Sequence, residues 1–316
     1  MPSVRYDIID ENTAGQRLDN YLLRVLKGVP KSHIYRIIRN GEVRINSKRA
    51  QVSSRLMSED KVRIPPVKVS APDSEAINVG KGLVELLKNS ILFEDKCLLV
   101  LNKPAGLAVH GGSGLSLGVI EALRKIREDL PYLELIHRLD KETSGCLLLA
   151  KKRSFLRKVQ ALLMARTVQK TYWALLSNSW TGSSPRIVNA ALEKSILQSN
   201  ERIVAVKESG KPSCTRFNLL ENYTNLCWVE AKPETGRTHQ IRVHSAHLGH
   251  PIVGDEKYGN KQEKPTTNDL PSRLYLHARA IQFTLEGKSY LFEADLEPRF
   301  QTALKRLRTG AAKKNE

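Results

Sequence analysis

The chain has 316 residues, more than one compact domain usually holds, so about two domains are expected, one of them with room for a substantial core. Its 51 Lys and Arg against 33 Asp and Glu leave a formal charge of +18 and a pI near 9.8, a field that favours polyanions, either nucleic acid or an anionic membrane. No apolar run approaches the ~18 residues of a spanning helix, which argues against membrane insertion, and Cys97, Cys146, Cys214 and Cys227 form no Cys-x-x-Cys pair, so they read as buried, reduced thiols rather than zinc or redox ligands.

The first residues carry Asp7, Asp10 and Glu11 and no continuous apolar stretch, so they do not read as a targeting signal, and the cytoplasm is the expected location. From Arg17 to Leu26, the residues Leu18, Tyr21, Leu22, Val25 and Leu26 recur at helical spacing until Gly28 and Pro30 stop them. A second helix capped by Ser32 turns Ile34, Ile37 and Ile38 inward and Arg36 and Arg39 outward, and Gly41 ends it. Strand-like runs follow at Val43 to Asn46 and Lys61 to Ile64. Between Gly15 and Lys68 thirteen Lys and Arg meet four acids, so this small piece carries half of the chain's +18. Such cations are often only solvated helix faces, but their one-sided sign favours a nucleic-acid surface.

Residues 65 to 90, with Pro65, Pro66, Pro72 and Gly80 and no sustained pattern before Leu83, read as an interdomain linker, centred on 71 to 88. This gives a module at 1 to 70, with its core at 15 to 68, and a larger domain at 89 to 310. In the larger domain, strand-like runs (Ile91 to Phe93, Cys97 to Leu101, Leu133 to Ile136, Cys146 to Ala150, Thr171 to Leu176) alternate with helical ones at Ser116 to Leu130 and Ser154 to Arg166. Ser213 to Leu220, Cys227 to Ala231 and Leu274 to Phe283 again favour strand. The expectation is an α+β protein whose mixed, mostly antiparallel sheet is flanked by helices and loops. The tail from Lys305 to Glu316 is basic and expected to fray.

Two loops hold the residue types that chemistry needs. His137-Arg138-Leu139-Asp140-Lys141-Glu142-Thr143-Ser144-Gly145 lies between two apolar runs, where a rigid sheet would display it. Arg138 and Lys141 flank Asp140 and favour its ionised form. On the residues alone, Asp140 is either a reactive carboxylate or the cap of a turn paired with Arg. Gly236-Arg237-Thr238-His239-Gln240-Ile241-Arg242-Val243-His244 offers two cations beside neutral donors. His239, His244, His247 and His250 could be read as zinc ligands, but no thiol joins them and no His-Glu-x-x-His occurs, so core or hydrogen-bonding histidines are favoured. Tyr172, in Lys170-Thr-Tyr-Trp-Ala174, is either a core tyrosine or, in an RNA site, a phenol that stacks on a base or accepts a proton. Asn102-Lys-Pro-Ala-Gly106 lacks phosphate-loop spacing and reads as a turn.

Residues 14 to 20 (Ala-Gly-Gln-Arg-Leu-Asp-Asn), 32 to 41 and 42 to 46 resemble the S4 RNA-binding domain. The segments 101 to 106, 137 to 145, 170 to 172 and 236 to 244 together are similar, in order and spacing, to pseudouridine synthases of the RluA type, and within that family to members acting on large-subunit ribosomal RNA. The resemblance implies an S4-like αα-β module before a pseudouridine synthase fold, 23S ribosomal RNA as partner with more than one target uridine, no cofactor, no metal, no membrane and a monomer. It implies Asp140 as the catalytic carboxylate, Arg242 as its partner, Tyr172 against the base and Arg138 in the gap left by a flipped uridine. It also implies substrate-binding roles for Arg237, His239 and Lys170, and an RNA-binding patch of Arg17, Lys31, Arg36, Arg39, Arg44, Lys48 and Arg49. A noncatalytic S4 ribosome-assembly factor is the alternative, against which intact Asp140, Tyr172 and Arg242 stand. A glycoside hydrolase would need two cooperating carboxylates, and +18 suits few neutral sugars.

Overall fold

The computed structural model describes residues 3–11, 13–26, 28–67, 79–111, 117–196, 202–259 and 270–312. The chain divides into two compact units, Met1–Asn78 and Val79–Glu316.

In the first unit β1 (Arg5–Ile8) precedes α1 (Leu18–Val25), α2 (Lys31–Arg39), β2 (Arg44–Ile45), β3 (Lys48–Arg49) and β4 (Lys61–Ile64), with sheet order β1-β4-β2-β3. The helices form where the periodicity predicts, and Leu18, Leu22, Ile34, Ile37 and Ile38 bury against Val43, Val62 and Ile64 of the sheet side. Gly41, at φ +72°, takes the left-handed turn that closes α2. The cap differs from the expectation: α2 starts one residue before Ser32, Pro30 occupies the cap position, and no side chain caps the helix. Proline's fixed φ suits this entry and leaves Ser32 inside the first turn. Arg17, Lys31, Arg36, Arg39, Arg44, Lys48 and Arg49 are all exposed. Arg17 is engaged by Asp19 through two hydrogen bonds, whereas the other six have no acidic partner among the described residues.

The second unit runs α3 (Lys81–Asn89), β5 (Ile91–Glu94), β6 (Leu98–Lys103), α4 (Val119–Ile126), β7 (Glu134–Leu135), β8 (Ser144–Ala150), α5 (Arg153–Met164), β9 (Gln169–Ser177), β10 (Arg186–Asn189), β11 (Leu192–Ile196), β12 (Arg202–Val206), β13 (Cys214–Asn222), β14 (Leu226–Pro233), α6 (Gln240–His247), β15 (Leu276–Leu285), β16 (Lys288–Glu293) and α7 (Pro298–Ala312). A 10-stranded sheet is ordered β10-β13-β14-β9-β15-β8-β6-β5, with β16 also pairing β15 and β7 pairing β8, and β11 and β12 form a separate hairpin. Every pairing is antiparallel except that of β15 with β8.

β6 and β8 read as unbroken apolar runs because they are buried on both faces. Leu99, Leu101, Leu147 and Leu149 meet Val119, Ile120 and Leu123 of α4 on one side, and Leu98, Val100, Cys146 and Leu148 meet Phe155 and Val159 of α5 on the other. Each fully buried leucine of this kind contributes ~1.5–3 kcal/mol. Gly145 is required where β8 meets β15: its φ is +109°, and a Cβ would lie 2.2 Å from the Ala278 carbonyl oxygen. That close approach sets the end of the 137–145 loop against the sheet.

Several boundaries depart from the sequence expectation. α3 occupies Lys81–Asn89, inside the expected linker, because Leu87 buries completely and Leu83 packs beside it; residues 68–78 of that stretch lie outside the described ones. α4 is shorter than 116 to 130, since Glu121 ties back to the Gly118 and Gly111 amides and fixes the start. The tail does not fray from Lys305: α7 continues to Ala312, held by a stripe of Phe300, Ala303, Leu304 and Leu307 that its basic composition masks. Cys146 and Cys227 are buried, but Cys97 and Cys214 are only half-buried. Residues 260–269 lie outside the described ones, and Arg273 beyond them is nearly buried and paired with Glu297.

Candidate active site

A cavity of about 690 Å³ opens on the second unit, within the size range of small-molecule sites. The 137–143 loop between β7 and β8, β9, the end of β14 and the start of α6 build its walls, so both motif loops singled out in the sequence meet here. Asp140, Tyr172, Arg242, Arg138, Lys170, Arg237 and His239 all line it. Val109, Leu139, Ile241 and Leu276 supply apolar wall, and six Lys and Arg face two acids, Asp140 and Glu234.

The Asp140 carbonyl accepts the Thr143 amide at 3.1 Å, which closes a turn, and its side chain is 32% exposed. The flanking cations do not serve it: Lys141 reaches Glu142 at 3.6 Å, and Arg138 is exposed on the rim. The cation that does approach comes from α6, where Arg242 Nη1 lies 3.6 Å from Asp140 Oδ2. Arg242 is buried, and its principal partner is Asp255, which accepts from Nε and Nη2 at 2.7 Å each. The expected pairing with Asp140 is therefore the looser half of a three-residue arrangement. Burial would lower the Arg242 pKa, but Asp255 first and then Asp140 outweigh it and raise it, so the guanidinium stays charged. The bidentate bond to Asp255 fixes the plane of the guanidinium and leaves one nitrogen for Asp140.

α6 is held in place by Gln240, whose side chain accepts from Thr235 and the Arg237 amide and donates to the Cys214 carbonyl and Thr215. His239, at φ +53°, turns into the helix with its Nε2 3.8 Å from Asp140 Oδ2. Burial lowers its pKa and favours the neutral ring. Tyr172 on β9 sits opposite Ala231 and Ala278, small neighbours that leave its ring beside the cavity. Burial and then the Asp140 charge raise its pKa, which keeps the phenol protonated. Lys170, two residues earlier on the same strand, is lowered by burial; nearby His137 is held neutral with a pKa of about 4 by burial and by Lys170. Arg237 donates to the Pro212 carbonyl at 3.3 Å. His244 bonds Thr215 and the Ala190 carbonyl, and His250 bonds the Ser177 carbonyl and stacks on Trp180.

Sequence reasoning missed three residues. Asp255 and Tyr258 follow the second motif by more than ten residues, and no spacing rule pairs them with Arg242 and His239. Lys103, in the segment read as a turn, is completely buried, and its ammonium donates to the carbonyls of Pro104, Leu107 and Lys141 at 2.8, 3.0 and 3.1 Å. It supports the backbone of the 137–145 loop one residue past Asp140. A lysine ending a strand whose first four residues are all apolar was the available signal.

A carboxylate and a guanidinium side by side in a cation-rimmed cleft, in a chain that also carries a basic module, fit an enzyme acting on RNA. The sequence pattern of the RNA pseudouridylate synthase family matches residues 97–247, and that of the S4 domain matches residues 16–62. The chain is 52% identical to ribosomal large subunit pseudouridine synthase C of Haemophilus influenzae, over 97% of this chain and 96% of that protein. It is 49% identical to the Escherichia coli protein of the same name, over 97% of this chain and 98% of that one. Among solved structures, human RNA pseudouridylate synthase domain containing 4 superposes with a TM-score of 0.61 at 29% identity, covering 72% of this chain and 96% of that one. The chain belongs to the RNA pseudouridylate synthase family.

Proposed function

We propose that the protein isomerises uridines to pseudouridine in 23S RNA of the large ribosomal subunit, at more than one position, as a cytoplasmic monomer with Asp140 as its catalytic carboxylate. The substrate follows from similarity over nearly the whole chain to relatives named for the large ribosomal subunit. One observation carries the chemistry: Asp140, within 3.6 Å of a buried and permanently charged Arg242, opens into a cavity able to admit a nucleoside.

The reaction breaks the bond between ribose C1′ and uracil N1, turns the base, and joins C5 to C1′. C5 gives up a proton and N1 finishes with one, so no net proton is consumed. An ionised Asp140 serves each route, by attack on sugar or base or by promoting glycal formation. Arg242 limits its rotamers and supports its charge. Tyr172, kept protonated, is suited to stacking against the base and donating a hydrogen bond, and poorly suited to accepting the C5 proton.

The uridine must leave its stack to reach this cavity, at a cost of a few kcal/mol. Arg138, exposed on the rim, would fill the vacated position, while Lys170, Arg237 and His239 hold the extruded nucleotide. The exposed cations of the S4 domain supply salt-dependent phosphate binding. Pseudouridine mapping of ribosomal RNA from cells lacking the protein tests the assignment: specific 23S positions should revert to uridine and regain the modification with the wild-type gene but not with Asp140→Asn. An unchanged map would refute it.

A further inference from the structure

The β11–β12 hairpin reaches the site through one hydroxyl. The Val204 amide of β12 donates to the Tyr258 hydroxyl at 3.0 Å, and the same oxygen lies 2.7 Å from His239 Nδ1. The Tyr258 ring is fixed from both sides: it packs with Leu192, Val204 and Val243, and the Arg242 guanidinium lies over it, 5.0 Å from its centroid. The His239 ring meets it edge to face, with centroids 5.6 Å apart.

Counting protons favours one direction for these bonds. The Val204 amide can only donate, so it uses one acceptor site of the hydroxyl. The hydroxyl has a single proton, and His239 Nδ1 is the acceptor within its reach among the described residues. The hydroxyl oxygen has a second lone pair that a protonated Nδ1 could use, but only donation to an unprotonated Nδ1 gives the hydroxyl proton an acceptor among the described residues, and a neutral imidazole then carries its own proton on Nε2, the nitrogen 3.8 Å from Asp140 Oδ2. The groups that act electrostatically on His239 are Asp140, Arg242, Lys257 and Asp255, two of each sign, and burial disfavours the charged ring.

From this geometry we infer that Tyr258 is a positioning residue that locks His239 in the Nε2–H tautomer, so that a neutral N–H donor faces Asp140 Oδ2, the oxygen that Arg242 also approaches. Asp140 Oδ2 then has a guanidinium and a neutral donor beside it, at 3.6 and 3.8 Å. The neutral donor leaves the charge of the carboxylate intact. Because the amide that orients Tyr258 belongs to the β11–β12 hairpin, the hairpin's seat on the domain sets the proton position at the site. The tautomer itself is independent of the proposed reaction; its consequence for turnover rests on that reading.

The test is long-range proton–nitrogen NMR on the full-length protein with labelled histidine, near neutral pH, with the His239 signals assigned by their loss in His239→Gln. In the wild type, Nε2 should resonate in the protonated range and Nδ1 in the unprotonated range. A protonated Nδ1 in the wild type overturns the inference without any variant. In Tyr258→Phe, which keeps the ring under Arg242, the two nitrogens should move toward a tautomer mixture and the Val204 amide should exchange faster; an unchanged histidine pattern would also overturn it. Single-turnover uridine conversion by Tyr258→Phe should fall roughly three- to tenfold in rate at saturation, the scale of one ordinary hydrogen bond, with RNA affinity unchanged. Loss of affinity at an unchanged rate would refute the positioning role. If the tautomer is as inferred but wild-type protein converts no uridine in any ribosomal RNA, the reaction assignment fails and the tautomer stands.

Discussion

Replacing Asp255 by Ala should cost far more stability than replacing Asp140 by Ala, although both carboxylates face Arg242. Asp255 is fully buried at its side chain and holds Arg242, itself 10% exposed there, through two bonds of 2.7 Å. It also accepts the Lys257 and Tyr258 amides at 3.0 and 3.1 Å. Removing one member of a buried pair leaves an uncompensated charge, worth roughly 3–5 kcal/mol, which in a unit of this size lowers Tm by roughly 6–20 °C. Asp140 is 32% exposed and 3.6 Å from its nearest guanidinium nitrogen, so its loss should cost under about 1 kcal/mol, as for pairs open to solvent. Urea unfolding and thermal melts of both variants, with uridine conversion measured well below the lower Tm, separate the two roles. Asp140→Ala should be stable and inactive, whereas Asp255→Ala should be unstable, with residual conversion at low temperature. If Asp140→Ala is as destabilising as Asp255→Ala, Arg242 is anchored by Asp140 and the arrangement described here is wrong.

Other outcomes follow from the same geometry. Arg138→Ala should slow conversion of structured RNA far more than of a substrate whose uridine is already unpaired; equal losses in a side-by-side kinetic assay would remove its gap-filling role. Lys103→Met should lower stability by roughly 2–4 kcal/mol, because three carbonyls each lose a donor, and should reduce kcat more than RNA affinity, since one of them belongs to Lys141; denaturant melts and single-turnover rates check both. Glu94 is held at a pKa of about 2, below its ordinary 4.5, by Arg127 first and then Lys151. A depressed carboxylate stabilises the fold above its unfolded value and loses that contribution as pH falls through the folded one. Wild type should thus exceed Glu94→Gln by about 1 kcal/mol at neutral pH, and the gap should close between pH 4.5 and about 2 in urea titrations. A gap that persists at the acid end would show that it does not come from the charge.

The sequence alone determined the elements whose signal is local. The helical spacing of Leu18, Tyr21 and Leu22 gives α1, and the apolar runs at 98 to 101 and 146 to 150 give the central strands. The two motif loops named the residues that line the cavity, and the exposed cations of the first unit follow from composition and period. Only the tertiary structure decided which groups touch. Arg242 chose Asp255 over Asp140, and the Tyr258 hydroxyl came to lie between a hairpin amide and His239, because ion pairs and hydrogen bonds form at a range of about 3 Å between segments that sheet order and helix docking bring together. Lys103 gave a weak local signal, and its meaning lay in three carbonyls, one of them 38 residues away. Partners at such separations leave no periodicity in the chain, so their pairing is a property of the fold.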